Sequence, residues 1–344
     1  MHKKITIRDV SRECGYSTTT VSHVLNNTRN VAWETRKKVL EAVKKLNYRP
    51  NLIARSLKGK GSKTIGIIIS DIREGFFAEI TKTVEIEISK LGYNLILCDS
   101  EHNFKKEKFY FDILHQKGVD GIILAPVNIF KPPFRVNSDL KMTQIPFVQI
   151  DRKLKNVNAD FVGINNFLSS KRAVEYLYKC GYKSIGLITY PPWVYTMQQR
   201  IKGYVLAEKE RGKYKKQKIL VLNYDSAKNK EMINNWIKST KLDAIVCGND
   251  EICLSVLSVI EKIGLNIPEE IGLLSFDDNK WFKFLQYPVV AIKQPTYAIA
   301  KIAVSLLIEH IENRKTVLPR EIILPAELVT GVGSNRGVKE YISG

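Results

Sequence analysis

Short apolar runs and amphipathic stretches of helical period alternate along most of the chain. Runs such as TIGIIIS and GIILA are apolar at nearly every position and too short for buried helices, which indicates parallel strands covered on both faces. Between the runs lie amphipathic segments at about 76–91, 105–116, 169–179, 200–210, 228–240, 250–263 and 296–311. The alternation begins again after Asp160, which predicts two similar α/β lobes, each a doubly wound parallel sheet.

The N-terminal part of the chain has helical periodicity only. Thr6 and Asp9 form a capping-box-like start for a first helix, Gly15 ends it, and Ser17 caps a second helix. A third helix is expected from about residue 32 to 47. One apolar face on each helix predicts a small all-α core made of Ile7, Val10, Cys14, Val21, Val24, Leu25, Thr35, Val39, Ala42, Val43 and Leu46. Two short helices joined by a tight turn are typical of a helix-turn-helix, which lays its second helix into the major groove of DNA.

The charge of the chain is concentrated in this N-terminal part. The 344 residues carry a net charge of +19. Residues 1–63 contain 15 Lys and Arg against 4 Asp and Glu, a net charge of +11, while all the remaining residues together carry +8. A short basic segment of this kind indicates a polyanionic partner such as DNA.

The side chains that point away from the predicted helical core carry hydroxyl and imidazole groups. Such groups can hydrogen-bond base edges and phosphates, and a Thr methyl can contact a thymine methyl. The candidates on the second helix are Thr18, Thr19, Ser22 and His23. Thr20 is expected to support the turn instead. Two plainer interpretations stay open here, because Thr18 and Thr19 are also good helix-start residues and His23 can be a solvated histidine.

The stretch TIRDVSRECGYSTTTVSHVL, with its continuation into ARSLK, resembles the head of the lactose-repressor/galactose-repressor family. The resemblance extends over nearly the whole chain. It implies base contacts from Thr18, Thr19 and His23, and further DNA contacts from Thr6, Ser17, Thr20, Ser22, Asn30 and Arg55. The chain departs from the family pattern at Ala32, where a Ser or Thr cap is usual, and at Trp33, an exposed aromatic residue.

Residues 50–63 are predicted to form a hinge. NLIARSLK can make one or two helical turns, too few to be stable alone in water, and the GKGSK that follows is flexible and charged. The resemblance implies that NLIARSL folds on DNA and that Leu57 wedges between base pairs in the minor groove. GKGSKT is not a phosphate-binding loop, because it lacks the leading glycine and precedes a strand.

Polar and aromatic residues follow the predicted strands, at the edge where parallel α/β sheets bind ligands. Carboxylate, amide and guanidinium groups suit sugars and sugar acids because each hydroxyl both donates and accepts, and rings can cover apolar ligand faces. The candidates for effector binding are Asp71, Phe76, Phe77, Asp151, Arg152, Arg200, Tyr224, Asn249, Asp277, Trp281 and Gln294. Asp250 is interpreted as a helix cap and Asp278 as a backbone partner, and Arg152 can also form a surface ion pair.

The sequence offers no motif for catalysis, metal binding or membrane insertion. GxGxxG, GxSxG, HExxH and paired CxxC motifs are absent, so no cofactor or metal is expected and the chain is interpreted as a non-enzyme. The five cysteines lie mostly in apolar surroundings and are expected to be reduced. With no signal peptide and no apolar run of about 20 residues, the expected location is the cytoplasm.

These patterns and the resemblance together predict a DNA-binding regulator that acts as a repressor. Residues 1–49 are expected to form its DNA-binding domain and residues 64–334 a two-lobed effector domain. The first lobe is expected to contain about 64–161 plus 293–320, and the second about 162–292 plus 321–334. The resemblance implies a homodimer on a pseudo-palindromic operator and a sugar or sugar-acid effector between the lobes. IDRKL and FDDNKWFK resemble members that sense sugar acids. The alternatives are a solute-binding protein without a DNA role and a catabolite-control-type regulator with a protein corepressor.

Overall fold

The computed structural model describes residues 5–26, 29–48, 61–128, 130, 145–212, 217–224, 226–313, 318–330 and 340–342. The chain divides into two compact units, residues 1–62 and 63–344. Most of the predicted hinge, including Arg55 and Leu57, lies outside the described residues. Within the part that is described, no helix is long and apolar enough to cross a membrane.

The first unit contains three helices, α1 (Ile7–Cys14), α2 (Thr18–Asn26) and α3 (Trp33–Lys45). The Asp9 carboxylate accepts the N–H of Thr6 at 2.9 Å, and Gly15 ends α1 in the left-handed conformation at φ 73°. The three helices meet in one apolar cluster whose buried members are Val10, Val21, Val24, Val39 and Ala42. This is the small core that the apolar periodicity predicts.

The second unit contains two sheets with helices on their faces. The first sheet is fully parallel and consists of β1 (Thr64–Ile69), β2 (Asn94–Asp99), β3 (Gly121–Leu124), β4 (Phe147–Ile150), β5 (Asp160–Ile164) and β11 (Glu321–Leu324), in the order β11-β5-β4-β3-β1-β2. Helices α4 (Gly75–Lys90) and α10 (Thr296–Glu312) pack against each other, and α5 (Phe104–Gln116) packs against β1 and β2. The buried Ile and Val side chains of these strands form the lobe core.

The second sheet has the order β13-β12-β10-β9-β8-β6-β7. Its strands are β6 (Ile185–Thr189), β7 (Ile219–Val221), β8 (Ala244–Cys247), β9 (Gly272–Phe276), β10 (Val290–Lys293), β12 (Ala326–Val329) and β13 (Glu340–Ile342). Its helices are α6 (Asn166–Lys179), α7 (Tyr195–Glu210), α8 (Asn229–Thr240) and α9 (Asp250–Ile263), and a short 3-10 helix covers Lys280–Phe284. Strands β12 and β13 run antiparallel to their neighbours and close one edge of the sheet.

Two strands correct the lobe boundaries expected from the sequence. All of β5 belongs to the first sheet, although the second lobe was expected to begin at about residue 162, and β11 pairs with β5 although it was expected in the second lobe. The reason is the strand order: β5 lies beside β4 and offers the free edge on which β11 completes the first sheet. In addition, β13 extends the second sheet beyond residue 334.

Helix α7 begins earlier than the sequence pattern indicates. A helix was expected from about residue 200, after a loop rich in Pro and aromatic residues, but α7 starts at Tyr195. Thr196 and Met197 are buried against the second lobe, and this burial stabilises the extra turn. The longer helix brings Arg200 to the inside of its second turn, where it faces the ends of β8 and β9.

Candidate functional site

The turn between α1 and α2 is held by side-chain hydrogen bonds. Ser17 Oγ accepts the backbone N–H of Thr20 at 3.1 Å and lies 2.9 Å from the Thr20 hydroxyl. Ser11 Oγ donates to the carbonyl of Tyr16 at 2.5 Å. These bonds fix the start of α2, so Ser17 and Thr20 support the turn, as the sequence predicted for Thr20.

The exposed start of α2 carries the predicted base-reading side chains. Thr18 and Thr19 are exposed, while Ser22 and His23 are partly exposed on the same helix. Asn30 is exposed before α3. The hydroxyl of Thr6 donates to the Asp9 carboxylate at 2.7 Å. The surface around α2 is therefore polar, and it presents hydroxyl groups at a helix start.

Helix α3 adds positive charge and one large aromatic side chain. Lys37, Lys38 and Lys44 are exposed on this helix. Trp33 is 72% exposed, and the ammonium of Lys37 lies 5.4 Å from its ring centroid. The N-cap position holds Ala32, which makes no side-chain cap hydrogen bond, as its departure from the family pattern implies.

In the second unit, Arg200 is a buried cation between the lobes. Its Nε donates to Asn166 Oδ1 at 2.8 Å, and its Nη1 donates to the Gly248 carbonyl. The guanidinium carbon lies 3.9 Å from the centroid of the Phe276 ring. Burial lowers the pKa of Arg200, and the opposing field of Asp277 limits the shift. These contacts fix the orientation of the guanidinium.

Arg152 is a second buried cation, and it belongs to the first lobe. Its Nη1 donates to Ser70 Oγ at 2.6 Å, and its Nε lies 3.3 Å from Asp151 Oδ2. Since Arg152 is 3% exposed, the alternative of a surface ion pair is excluded. Burial raises the pKa of Asp151, although Arg152 opposes that shift. Asp151 itself has a positive φ of 59°, in the region that non-glycine residues rarely occupy.

Asp277 stands at the end of β9 with a similar strained backbone, at φ 68°. Its Oδ1 accepts a hydrogen bond from Nε2 of Gln294 at 2.6 Å. Burial raises the pKa of Asp277 to about 7, with Arg200 acting in the opposite direction. This carboxyl group can therefore donate or accept a hydrogen bond near neutral pH.

The structure corrects the residue expected to cap the helix that follows β8. Asn249, a predicted ligand contact, is the N-cap of α9 and accepts the N–H of Ile252 at 3.0 Å. Asp250, interpreted from the sequence as the cap, accepts a hydrogen bond from Asn279 Nδ2 at 2.7 Å and lines a cavity between the lobes. Either side chain can cap a helix, and the backbone turn decides which one does.

An aromatic stack joins the lobes on one side of the cleft. The His102 ring of the first lobe lies on Tyr224 of the second, with 3.9 Å between centroids and 16° between planes. Tyr190 stacks on Tyr224 at 4.1 Å and 20°. Nε2 of His102 is 3.0 Å from Oε1 of Glu74, whose pKa burial raises to about 8.

Two cavities lie at this cleft. The larger has a volume of about 340 Å³, and its lining includes Phe76, Glu79, Asp250, Asp277, Lys293 and Gln294. The smaller, of about 90 Å³, is lined by Asp71, Arg73, Glu74, His102, Tyr190, Tyr224 and Glu251. Lys280 of the second lobe contacts Glu79 of the first lobe at 3.0 Å beside the larger cavity, and within the first lobe the Thr296 hydroxyl donates to the same carboxylate at 3.0 Å.

Several buried polar atoms at the cleft have no hydrogen-bond partner within the described part of the chain. They are Tyr224 Oη and Gln294 Oε1, while Arg152 Nε has only its ion-pair contact with Asp151 Oδ2 at 3.3 Å. A buried polar atom without a partner costs about 1–3 kcal/mol, so native proteins rarely keep several together without a ligand or water to pair them. The cleft thus has the donors and acceptors that a polar ligand requires.

The remaining predicted effector residues lie around the cleft with less direct access. Phe77 is only 1% exposed and packs in the first-lobe core, which corrects its assignment as a ligand contact. Trp281 packs against the second-lobe core and edge-on to Phe282. The Asp71 carboxylate is held by Arg73 at 2.5–3.1 Å.

The sequence analysis missed Glu74, His102 and Tyr190. Tyr190 directly follows β6, and His102 is the third residue after the end of β2. The rule that strand ends bear ligand contacts could therefore have selected both. No local signal marks Glu74. Among the described residues, no group of three or more His, Cys, Asp or Glu is arranged to hold a metal ion.

Comparison with known proteins matches both units. Residues 6–51 match the family model "Bacterial regulatory proteins, lacI family", and residues 62–331 match "Periplasmic binding proteins and sugar binding domain of LacI family". The chain is 34% identical over 326 residues to the HTH-type transcriptional repressor PurR of Pasteurella multocida, covering 94% of this chain and 97% of that protein.

Solved structures share the fold. A LacI-family transcriptional regulator from Silicibacter pomeroyi superposes with a TM-score of 0.78 at 24% identity, covering 95% of this chain and 98% of that chain. The lac repressor dimer bound to operator and the anti-inducer ONPF gives a TM-score of 0.78 at 21% identity, covering 96% and 98%. At these identities the structures show the shared architecture.

Proposed function

Because the chain belongs to the LacI family of bacterial regulatory proteins, we propose that it represses transcription by binding operator DNA and that a small sugar or sugar acid between its lobes controls this binding. The DNA contacts are made by the first unit and the effector contacts by the second. As a DNA-binding regulator it acts in the cytoplasm, and it has no catalytic step.

The DNA-binding half of the proposal is supported by the surface of α2 and α3. Thr18 and Thr19 are exposed at the start of α2, where a recognition helix contacts base edges, and His23 lies one turn further along. The exposed lysines of α3 supply charge for phosphates. Because one such head reads only a few base pairs, we propose a homodimer on a pseudo-palindromic operator, with Leu57 and Arg55 of each hinge contributing in the minor groove.

The effector half rests on one observation: the lobes enclose buried charges together with polar atoms that lack partners. Arg200 and Arg152 are 2% and 3% exposed and come from opposite lobes, and Asp151 and Asp277 lie beside them. Hydroxyl groups pair with both signs of charge, since each can donate and accept. A polyhydroxy ligand, neutral or with one carboxylate, fits this mixture.

Control of DNA binding follows from the position of the effector. A ligand that contacts both lobes favours one relative orientation of the lobes by the difference between its affinities for the two orientations. The two hinges of a dimer would then approach or separate, which changes the affinity for DNA. The same scheme works with an inducer or with a corepressor.

The direct test measures fluorescence anisotropy of labelled DNA from the promoter region of the chain's own gene. Purified full-length protein is titrated with and without a panel of neutral sugars and sugar acids. We expect saturable binding that competitor DNA of unrelated sequence displaces poorly, and a shift in Kd of at least fivefold with one panel member. No preference for the promoter DNA would refute the DNA-binding half.

Arg200→Lys provides the matched test of the effector half, with Arg211→Lys at the C-cap of the same helix as control. We expect R200K to bind the DNA and to lose the effector response, because lysine cannot keep both hydrogen bonds of Arg200 and also orient a ligand. R211K should respond as the parent protein does. An unchanged response in R200K would refute the assignment of the site.

A further inference from the structure

We propose that His102 and Tyr190 select the chemical class of the effector: by covering both faces of Tyr224 they exclude planar aromatic ligands and leave the Tyr224 hydroxyl for a non-aromatic, hydroxyl-bearing one. The inference rests on the proposed effector site and adds two specificity-determining residues to it.

The stack occupies both faces of the Tyr224 ring. His102 lies on it at 3.9 Å with 16° between the planes, and Tyr190 lies on it at 4.1 Å with 20°. These are stacking distances, with no room for a further ring between either pair. Tyr224 therefore cannot stack on a ligand while both neighbours stay in place.

His102 is held in place by a strained turn and by two polar contacts. Its backbone has a positive φ of 52°, following Glu101 at 48°, so a tight left-handed turn directs it across the cleft. Its N–H donates to the carbonyl of Ser70 at 2.9 Å, and its Nε2 lies 3.0 Å from Oε1 of Glu74. Its side chain is 6% exposed. A strained turn that is bonded at both backbone and side chain indicates a fixed ring position.

Other rings near the two arginines are covered in the same way. The Arg200 guanidinium lies 3.9 Å from the Phe276 centroid, and that of Arg152 lies 5.5 Å from the Phe77 centroid. Phe76 meets Phe77 edge to face at 5.1 Å and is 7% exposed, so only a small part of it lines the larger cavity. A planar heteroaromatic ligand would thus lose the ring stacking that normally stabilises it.

The cleft offers a ligand polar atoms instead of open ring faces. The hydroxyl of Tyr224 is buried without a hydrogen-bond partner in the described residues, and it lies within the fields of Arg152 and Glu74. Gln294 Oε1 is likewise without a partner, and Arg152 Nε has only its ion-pair contact with Asp151 Oδ2 at 3.3 Å. One is a donor, one an acceptor, and the tyrosine hydroxyl is both, which is the set that sugar hydroxyls complete.

The experiment removes the His102 ring from one face of Tyr224 and measures whether a planar base then binds. Full-length parent protein, His102→Ala and His102→Phe are titrated calorimetrically with hypoxanthine as a planar probe, and His115→Ala, an exposed histidine of the same lobe, is the control. For the parent protein and H115A we expect no hypoxanthine binding with a Kd below the millimolar range. H102A should bind hypoxanthine at least tenfold more tightly. H102F should bind no more tightly than the parent protein, because it keeps a ring on that face of Tyr224.

The outcomes separate this inference from the proposed function. Submillimolar hypoxanthine binding by the parent protein overturns the inference, as does H102A without a gain or H102F with the same gain. If H102A does not fold, as judged by circular dichroism, Tyr190→Ala uncovers the opposite face and must show the gain. The proposed function fails on different grounds, namely absence of preferred DNA or of any sugar response.

Discussion

Glu74 makes the stability of the protein depend on pH in a direction opposite to that of an ordinary surface carboxylate. It is 8% exposed, and burial raises its pKa to about 8, with Asp250, Asp151 and Asp71 adding to the shift and Arg152 opposing it. In the unfolded chain the value returns to about 4.3. Between these two values the folded protein holds a proton that the unfolded chain has lost.

The sign and size of this change in stability with pH follow from proton linkage. Because the folded state binds more protons, the free energy of unfolding falls as pH rises. The contribution of Glu74 is fully present below about pH 4 and is lost by about pH 8, at about 1 kcal/mol for each pH unit in between. Glu74→Gln removes the titration, so the variant should gain roughly 3 kcal/mol relative to the parent protein between pH 5 and pH 8.

Urea unfolding at pH 5, 6, 7 and 8 measures this difference. Three of the four tryptophans, Trp193, Trp236 and Trp281, lie in the second unit, so their fluorescence reports mainly on the unit that contains Glu74. Glu85→Gln on the same helix is the control, because Glu85 is half-exposed in an ion pair with Lys82. A difference between E74Q and the parent protein that stays constant within about 0.5 kcal/mol across this range would contradict the reasoning.

Three further predictions concern the first unit and the packing of the second. Thr18→Ala should change the ranking of operator variants by about 1–3 kcal/mol at the contacted base pair, and a ranking that is unchanged in a binding-site selection assay would remove Thr18 from the base contacts. Lys37→Ala and Lys38→Ala should each weaken binding to all DNA sequences and reduce the slope of log K against log salt by about 1, while equal slopes would show that these lysines do not contact phosphates. Gly203→Ala should lower the thermal midpoint, because a Cβ there would lie 2.1 Å from the Phe167 carbonyl oxygen, and overpacking of this kind costs about 1–3 kcal/mol. An unaltered thermal midpoint would mean that α6 and α7 can move apart without a loss of stability.

Local signals in the sequence were sufficient wherever the structure is local. The capping pair Thr6 and Asp9, the turn at Gly15 and the cap at Ser17 all lie where the residue pattern indicates. Asp277 was selected because it follows a strand and Arg200 because it was expected to open a helix, and the structure brings both to the cleft. These features depend on residues a few positions apart, so the pattern of types along the chain contains them.

Features that depend on long-range pairing could not be read in this way. The position of β11 beside β5 joins residues about 160 positions apart, and the apolar run EIIL would suit the edge of either sheet. Phe76 and Phe77 are neighbours of the same type and both pack in the first-lobe core, yet only Phe76 also lines a cavity, because the rotation of α4 against the sheet decides which ring reaches the cleft.

The sequence by itself determined the architecture of three helices followed by two α/β lobes, the polar character of the cleft and the family, since periodicity, caps and motifs are properties of neighbouring residues. Only the tertiary structure decided that His102 from one lobe lies on Tyr224 from the other, that Arg152 is buried, and that Asn249 rather than Asp250 caps α9. The physical reason is that contacts across the cleft arise from the packing of two separate sheets, and their geometry is set by every strand and helix between them.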